Sequence, residues 1–332
     1  MSLSTLRLRV PLIVAPMAGG PSSPQLVAAT CESGALGFLG AAYLSPSQII
    51  HQSEDIRRLT EKPFGINLFC PNPAFDPHTF PKEIIQRGKE RLEPFLREMG
   101  AATPNLDPPF DEDFYRQFDA VLEARPAVLS FVFGALPEDC SRRAREKGIL
   151  LIGKATCMEE VDKLSQSGGI DAVVLQGVEA GGHRGIFDHK APDPNIKTHD
   201  LLNQCVSSPQ YKDLYKIAAG GIMSAEDIRR ALESGADAVQ MGTAFLACEE
   251  AGTSAPYKRA LLASEERKTR ITRAYSGRLA RGLIRPFMDE MEKEEILPFP
   301  IQNSLTKPLR AACLKNDTDK YMSLSGLGRR ET

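Results

Sequence analysis

Short runs of consecutive apolar residues alternate, along this 332-residue chain, with longer stretches of mixed, helix-patterned sequence. The runs lie at 10–14, 35–39, 64–68, 127–133, 149–152, 171–176, 215–219 and 237–241. They are continuous rather than alternating, which is the pattern of parallel strands covered on both faces. Helix signals lie between them. One helix starts near Pro24. Ser224 caps another, whose first turn is acidic and which Gly235 ends. Cys157 to Ser167 reads the same way, with Gly168-Gly169 as the stop. Eight strands in regular alternation with helices predict a TIM (β/α)8 barrel. Strand count alone leaves a doubly wound open sheet as the other arrangement.

Two regions exceed a minimal barrel. The pattern assigns the barrel to 1–69 and 127–260, a helical, Pro-rich insertion to 70–126, and a C-terminal helical extension packing on the barrel to 261–332. The insertion opens with Cys70-Pro-Asn-Pro-Ala-Phe-Asp-Pro77, which is turn chemistry, and continues with a helix over roughly 82–99. Insertions at the C-terminal end of a barrel strand often cover an active site; a decorative hairpin fits the same sequence. The extension carries Tyr275-Ser-Gly-Arg-Leu-Ala-Arg-Gly282, a charged helix around 287–295 and a last stretch, Ser323 to Thr332, that reads as a frayed end.

Composition narrows the partners. The net charge is -2, from 41 basic and 43 acidic side chains, and no long basic block occurs, which argues against nucleic acid. The apolar stretches fall short of a membrane span, and Met1 to Arg9 has no signal-peptide pattern. The seven cysteines form no C-x-x-C pair and the five histidines no ligand spacing, so reduced thiols in a cytoplasmic protein without a metal are expected. Oligomeric state is open.

In a barrel the chemistry sits where the strands end. The first strand is followed by Ala15-Pro16-Met17-Ala18-Gly-Gly20, a stiff turn of small residues that lets backbone amides approach a ligand. The third ends at Asn67, an amide that donates and accepts. The sixth ends at Gln176, followed by Gly181-Gly182-His183. The seventh leads into Gly220-Gly221 and the eighth carries Gln240-Met241-Gly242-Thr243. Loops after strands seven and eight are the usual phosphate site of a barrel. No phosphate-loop lysine and no dinucleotide fingerprint accompanies them. A mononucleotide with a polar ring edge, flavin mononucleotide (FMN), fits best. His183, titrating near neutrality, is the candidate acid–base group, against the alternative of a structural histidine. Lys154 could attract an anionic substrate or the electron-rich edge of a flavin, or be a plain surface lysine. Arg184 reads as outward or paired with an acid, and Glu179 as a turn residue. Lys307 could approach the site if the tail folds back.

Ala15-Pro-Met-Ala-Gly-Gly20, Gly65-Ile-Asn-Leu68, Gln176-Gly-Val-Glu-Ala-Gly-Gly-His-Arg-Gly185, Ala218-Ala-Gly-Gly-Ile222, Gln240-Met-Gly-Thr-Ala-Phe245, Ser276-Gly-Arg-Leu-Ala-Arg-Gly282 and Gln302-Asn-Ser-Leu-Thr-Lys-Pro308 follow in one order. Together they resemble the nitronate monooxygenases, formerly called 2-nitropropane dioxygenases. The Ala-Pro-Met-Ala-Gly-Gly opening favours the first class of these over the related flavin-dependent enoyl reductases. The resemblance implies a flavoprotein TIM barrel with FMN held by Gln176, Gly181, Gly220 and Gln240 to Thr243, and with Asn67 at the flavin. It implies His183 as the active-site residue, and nitronate oxidation by O2 to a carbonyl compound and nitrite. Propionate 3-nitronate is the substrate it suggests. An FMN-dependent NAD(P)H enoyl reductase and a non-flavin phosphate-binding barrel are the other readings.

Overall fold

The computed structural model describes residues 3–6, 8–167, 169–263 and 268–321; Ser323 to Thr332 and Gly168 lie outside them. Eight parallel strands alternate with helices. In chain order these are β1 (Leu12–Val14), α1 (Pro24–Glu32), β2 (Phe38–Gly40), α2 (Pro46–Leu59), β3 (Gly65–Phe69), α3 (Lys82–Glu98), α4 (Phe114–Ala124), β4 (Val128–Val132), α5 (Glu138–Glu146), β5 (Leu150–Ala155), α6 (Met158–Gln166) and β6 (Ala172–Gln176). They continue with the two-residue β7 (Gly182–His183), α7 (Thr198–Val206), β8 (Tyr215–Ala219), α8 (Ala225–Glu233), β9 (Ala238–Met241), α9 (Ala255–Ala263), β10 (Thr269–Thr272), β11 (Ala280–Leu283), α10 (Pro286–Met291) and α11 (Ile301–Lys315). The large sheet runs β1-β9-β8-β6-β5-β4-β3-β2, so the chain forms a TIM barrel. Leu36 closes it. This residue, just before β2, bridges to Ile13, donating to Leu12 O and accepting from Val14 N. The second apolar run therefore serves as both seam and strand.

Local chemistry sets the helix starts. Ser23 accepts from Leu26 N with Pro24 at the first position of α1, and Ser45 with Gln48 forms a capping box on α2. Ser224 and Asp227 cap α8 the same way. Strand alternation then sorts the apolar residues. Ile13, Phe38, Val128, Leu150, Ile152, Val174 and Ile217 fill the lumen, while Leu129, Leu151, Val173 and Val239 pack outward under the helices. The same alternation aims Asn67, Lys154, Gln176 and Gln240 at the upper lumen.

The extra segments build a second apolar cluster. Ile85, Leu92 and Leu96 of α3 meet Phe287, Met288 and Met291 of α10 and Ile301, Leu305 and Leu309 of α11. Helix α4 instead packs its Phe114, Phe118 and Val121 into the barrel layer. The stretch from Ile301 is one helix although Pro308 lies inside it. A small antiparallel sheet, β10-β11-β7, ties the extension to the turn after β6, with Ala280 opposite His183 and Arg281 opposite Gly182. Among the described residues, no helix is long and apolar enough to cross a membrane.

Candidate active site

The turn after β6 is held by an internal frame. Arg184 is almost fully buried, 1% exposed, and not outward-facing. Its guanidinium pairs with Asp193 at 2.6 Å and donates to the carbonyls of Gln176 and Gly177. Gln176 accepts from Arg184 Nη1 and Gly185 N through Oε1 and donates through Nε2 to His183 O. Its amide thus braces the 181–185 segment. Glu179 accepts from the backbone N and hydroxyl of Thr198, which secures the start of α7. Thr198 Oγ1 also lies within hydrogen-bond reach of the carbonyls of Ala219 and Gly220, which share its single proton with Glu179.

This frame presents His183. Its Nε2 lies 2.7 Å from Ser276 Oγ, contributed by the C-terminal extension. Phe69 and Phe133 meet the imidazole edge-on, with centroids 5.9 and 5.8 Å away, and Phe299 and Tyr43 extend the aromatic wall from Phe69. Phe133 holds φ 76°, a left-handed conformation unusual for a bulky residue and of the kind found at functional sites. The Arg278 guanidinium stacks 3.8 Å above the Phe133 ring, and its Nη1 donates to Ile186 O. Arg310 is held by Asn303 Oδ1 and Tyr275 O. Burial, reinforced by the charges of Arg278, Arg310 and Lys154, pushes the His183 pKa down to about 3. His183 is therefore a neutral imidazole at physiological pH, and positive charge for an anion comes from its neighbours instead.

The remaining candidates line the mouth of the lumen. Asn67 donates to Ser130 Oγ, and among the described residues its Oδ1 and the side chain of Gln240 make no hydrogen bond. Ala15 N donates to Met241 O and Met17 N to Ser22 Oγ. With Pro16 carrying no N–H, the 15–18 turn contributes mainly shape. It fits over β2 because a Cβ on Gly40 would lie 2.7 Å from Ala18 N. Gly220 and Gly221 have φ of 118° and 71°, a turn open to glycine alone. Gly182, at φ 75°, faces open space. Gly181 precedes it, and Gly242 and Thr243 follow β9 beside Ala15 and Met17. The Met241 side chain packs outward under the helices, so only its backbone reaches the mouth. Lys307 is exposed on α11, and the tail does fold back, but with Gln302, Thr306 and Arg310 turned inward. Residue patterns did not single out Ser276, Arg278, Arg310 or the aromatic wall as site residues. Ser276 and Arg278 lie in a tail stretch that resembles the family pattern, whereas Arg310 and the aromatic residues lie outside every such stretch.

Lumen-facing amides with unspent hydrogen-bonding capacity and glycine turns at two neighbouring strand ends suit a flat ring ligand bearing a phosphate. Among the described residues no cluster could hold a metal ion. The barrel and its mouth define an enzyme of the cofactor-binding TIM-barrel class.

The nitronate monooxygenase family model matches residues 2–331. A probable nitronate monooxygenase of Bacillus subtilis (strain 168) is 37% identical over 97% of this chain and 91% of its own. A nitronate monooxygenase of Paraburkholderia phytofirmans is 38% identical over 93% of this chain and 84% of its own. Nitroalkane oxidase from Streptomyces ansochromogenes superposes with a TM-score of 0.88 at 36% identity, covering 98% and 91% of the two chains. FabK from Thermotoga maritima superposes with a TM-score of 0.71 at 25% identity, covering 98% and 88%. This chain belongs to the nitronate monooxygenase family and is an oxidoreductase.

Proposed function

We propose that this protein binds FMN in the barrel mouth and oxidises alkyl nitronates with O2 to a carbonyl compound and nitrite, propionate 3-nitronate being the substrate to test first. The observation that carries this reading is the placement of His183 against Ser276 inside an aromatic wall, with the cations Arg278, Arg310 and Lys154 acting on it. That environment favours a small anion that arrives already deprotonated. An imidazole with so low a pKa is a weak base toward a neutral nitroalkane, so preformed nitronates are the preferred substrates.

FMN, when bound, supplies the electron transfer. Asn67, Gln240 and the backbone of Met241 would meet the ring. Gln176 would act through the 181–185 segment that it braces, bringing Gly181 and Gly182 up to the cofactor. Backbone amides around Gly220-Gly221 and Gly242-Thr243 would hold the phosphate, with Ala15 to Ala18 closing over it. Arg278 and Arg310 would neutralise the nitronate. His183, oriented by Ser276, would hydrogen-bond the substrate's nitro oxygen as charge leaves it. Phe69, Phe133 and Phe299 would exclude water and strengthen each of these polar contacts.

An anaerobic titration tests this. A yellow protein bleached by propionate 3-nitronate and not by NADH is the expected result. Bleaching by NADH alone would move the assignment to the enoyl reductase reading, and a preparation that takes up no flavin would overturn it.

A further inference from the structure

Strand β4 alternates between its two faces along its length. Val128 and Ser130 face the lumen, where Ser130 meets Asn67, while Leu129 and Phe131 pack outward under the helices. Two residues beyond Phe131, the side chain of Phe133 would follow it outward. The φ of 76° at Phe133 breaks the alternation, and its ring joins the mouth instead, against Phe69, His183 and Phe299. A left-handed aromatic residue is costly and persists where its surroundings hold it.

What the ring faces there is Arg278. A guanidinium carries five N–H donors. Among the described residues that of Arg278 makes one hydrogen bond, from Nη1 to Ile186 O, and its Nε is buried without a partner. The residue is only 5% exposed. Burial, with the Arg273 charge adding to it, lowers its pKa to about 10, so it is still a cation at pH 7. The acids whose charge reaches it are engaged elsewhere. Glu160 accepts from Thr156 N, Thr156 Oγ1 and Phe187 N, and Asp188 Oδ1 accepts from Lys190 N. The main contact left to this buried charge is the face of Phe133, whose centroid lies 3.8 Å from Arg278 Cζ.

We propose that Phe133 is a positioning residue: its ring face holds the Arg278 guanidinium at the mouth, where the cation meets the negative charge of a substrate. The inference rests on the reading given above, in which Arg278 neutralises a nitronate, and names the group on which that neutralisation depends. A guanidinium held by a ring face keeps its N–H edges for a ligand, whereas one held by a carboxylate spends both its charge and its donors. The left-handed turn at the end of β4 is what brings the ring under the guanidinium.

The test keeps the shape of the ring and changes its charge distribution. Phe133 is replaced in the full-length protein by mono-, di- and trifluorinated phenylalanine, which draws electron density out of the ring face at little change in size. Nitrate, a planar anion that does not react, is titrated by calorimetry. Its affinity is expected to fall with each fluorine, to roughly tenfold below wild type at the third. In an Arg278→Met background the same series is expected to stay flat, because the cation on which the ring acts is gone. An affinity that stays within about twofold across the series, or rises, overturns the inference. A fall of equal size in the Arg278→Met background overturns it too, because the ring would then act on the anion without Arg278. A wild-type protein that binds no nitrate overturns the anion role of Arg278 and the inference with it. Nitrate binding without turnover of propionate 3-nitronate overturns the nitronate reading alone, and the fluorine series still decides for or against Phe133.

Discussion

His183 Nε2 and Ser276 Oγ sit 2.7 Å apart although 93 residues separate them in the chain. The imidazole belongs to the barrel, the hydroxyl to the C-terminal extension. Their meeting is held by the β7–β11 pairing, in which Ala280 stands opposite His183. The extension is therefore part of the site.

Ser276→Ala removes the hydrogen bond that orients His183 and leaves its ring free to turn. A neutral hydrogen bond of this kind contributes about 1 kcal/mol, so kcat/KM for propionate 3-nitronate is expected to fall about fivefold with flavin content unchanged. Steady-state kinetics on the yellow variant check this. An unchanged kcat/KM would mean that the contact orients nothing.

His183→Asn is expected to retain FMN and to lose at least about 100-fold in turnover of the nitronate. A variant that keeps the flavin and turns over every substrate at the wild-type rate would remove His183 from the chemistry. With the wild-type enzyme, the low pKa of His183 predicts a kcat/KM for a nitronate at least about 100-fold above that for its parent nitroalkane at pH 7. Comparable values for the two forms would show that a stronger base operates.

The same pKa has a stability consequence. The folded-state pKa of about 3 lies below the ordinary value of 6.5, so between those limits the unfolded chain takes up a proton that the native protein does not. Stability from this group is present above pH 6.5 and is lost as the pH falls toward 3. His183→Asn removes that dependence. Wild type should lose about 1 kcal/mol more than the variant between pH 7 and 5.5, measured by urea unfolding. Parallel curves would contradict it.

Gly277 has φ 85°, and a Cβ there would run into the backbone of Leu297, Pro298 and Phe299. The absent side chain lets that segment cross the Ser276–Arg278 turn and places Phe299 in the aromatic wall. Gly277→Ala should cost about 2–4 kcal/mol in unfolding free energy and weaken substrate binding together with stability. Wild-type stability would show that the crossing is looser than described.

Gln302 donates from Nε2 to Ala274 O at 2.7 Å in a fully buried setting. Gln302→Ala leaves that carbonyl without its donor, at a cost of about 1–3 kcal/mol. A denaturant midpoint that does not move would show that water replaces the amide.

Much of the barrel was legible because each strand is a continuous apolar run and each run survives as a strand within three residues at either end. The second run is the instructive departure. Residues 35–39 read as one strand, yet Ala35 and Leu36 lie before β2, and Leu36 bridges to Ile13. Barrel closure decides that pairing, and a local pattern carries no information about it. The extension was harder. The helix after Phe299 continues through Pro308 and is held by burial of Ile301, Leu305 and Leu309. Arg184 read as outward or acid-paired; the fold buries it because Asp193 and the carbonyls of Gln176 and Gly177 converge on one point.

The sequence by itself determined the strand–helix alternation, the capped helix starts and the glycine turns at the strand ends, because each depends on near neighbours. It also determined that an imidazole follows a Gly-Gly turn. Only the tertiary structure decided what surrounds that imidazole. Ser276, Arg278 and Arg310 come from a tail that must pair with β7 and pack on α3 before it reaches the mouth. The neutrality of His183 follows from burial and from which charges lie near, and those are properties of the assembled fold.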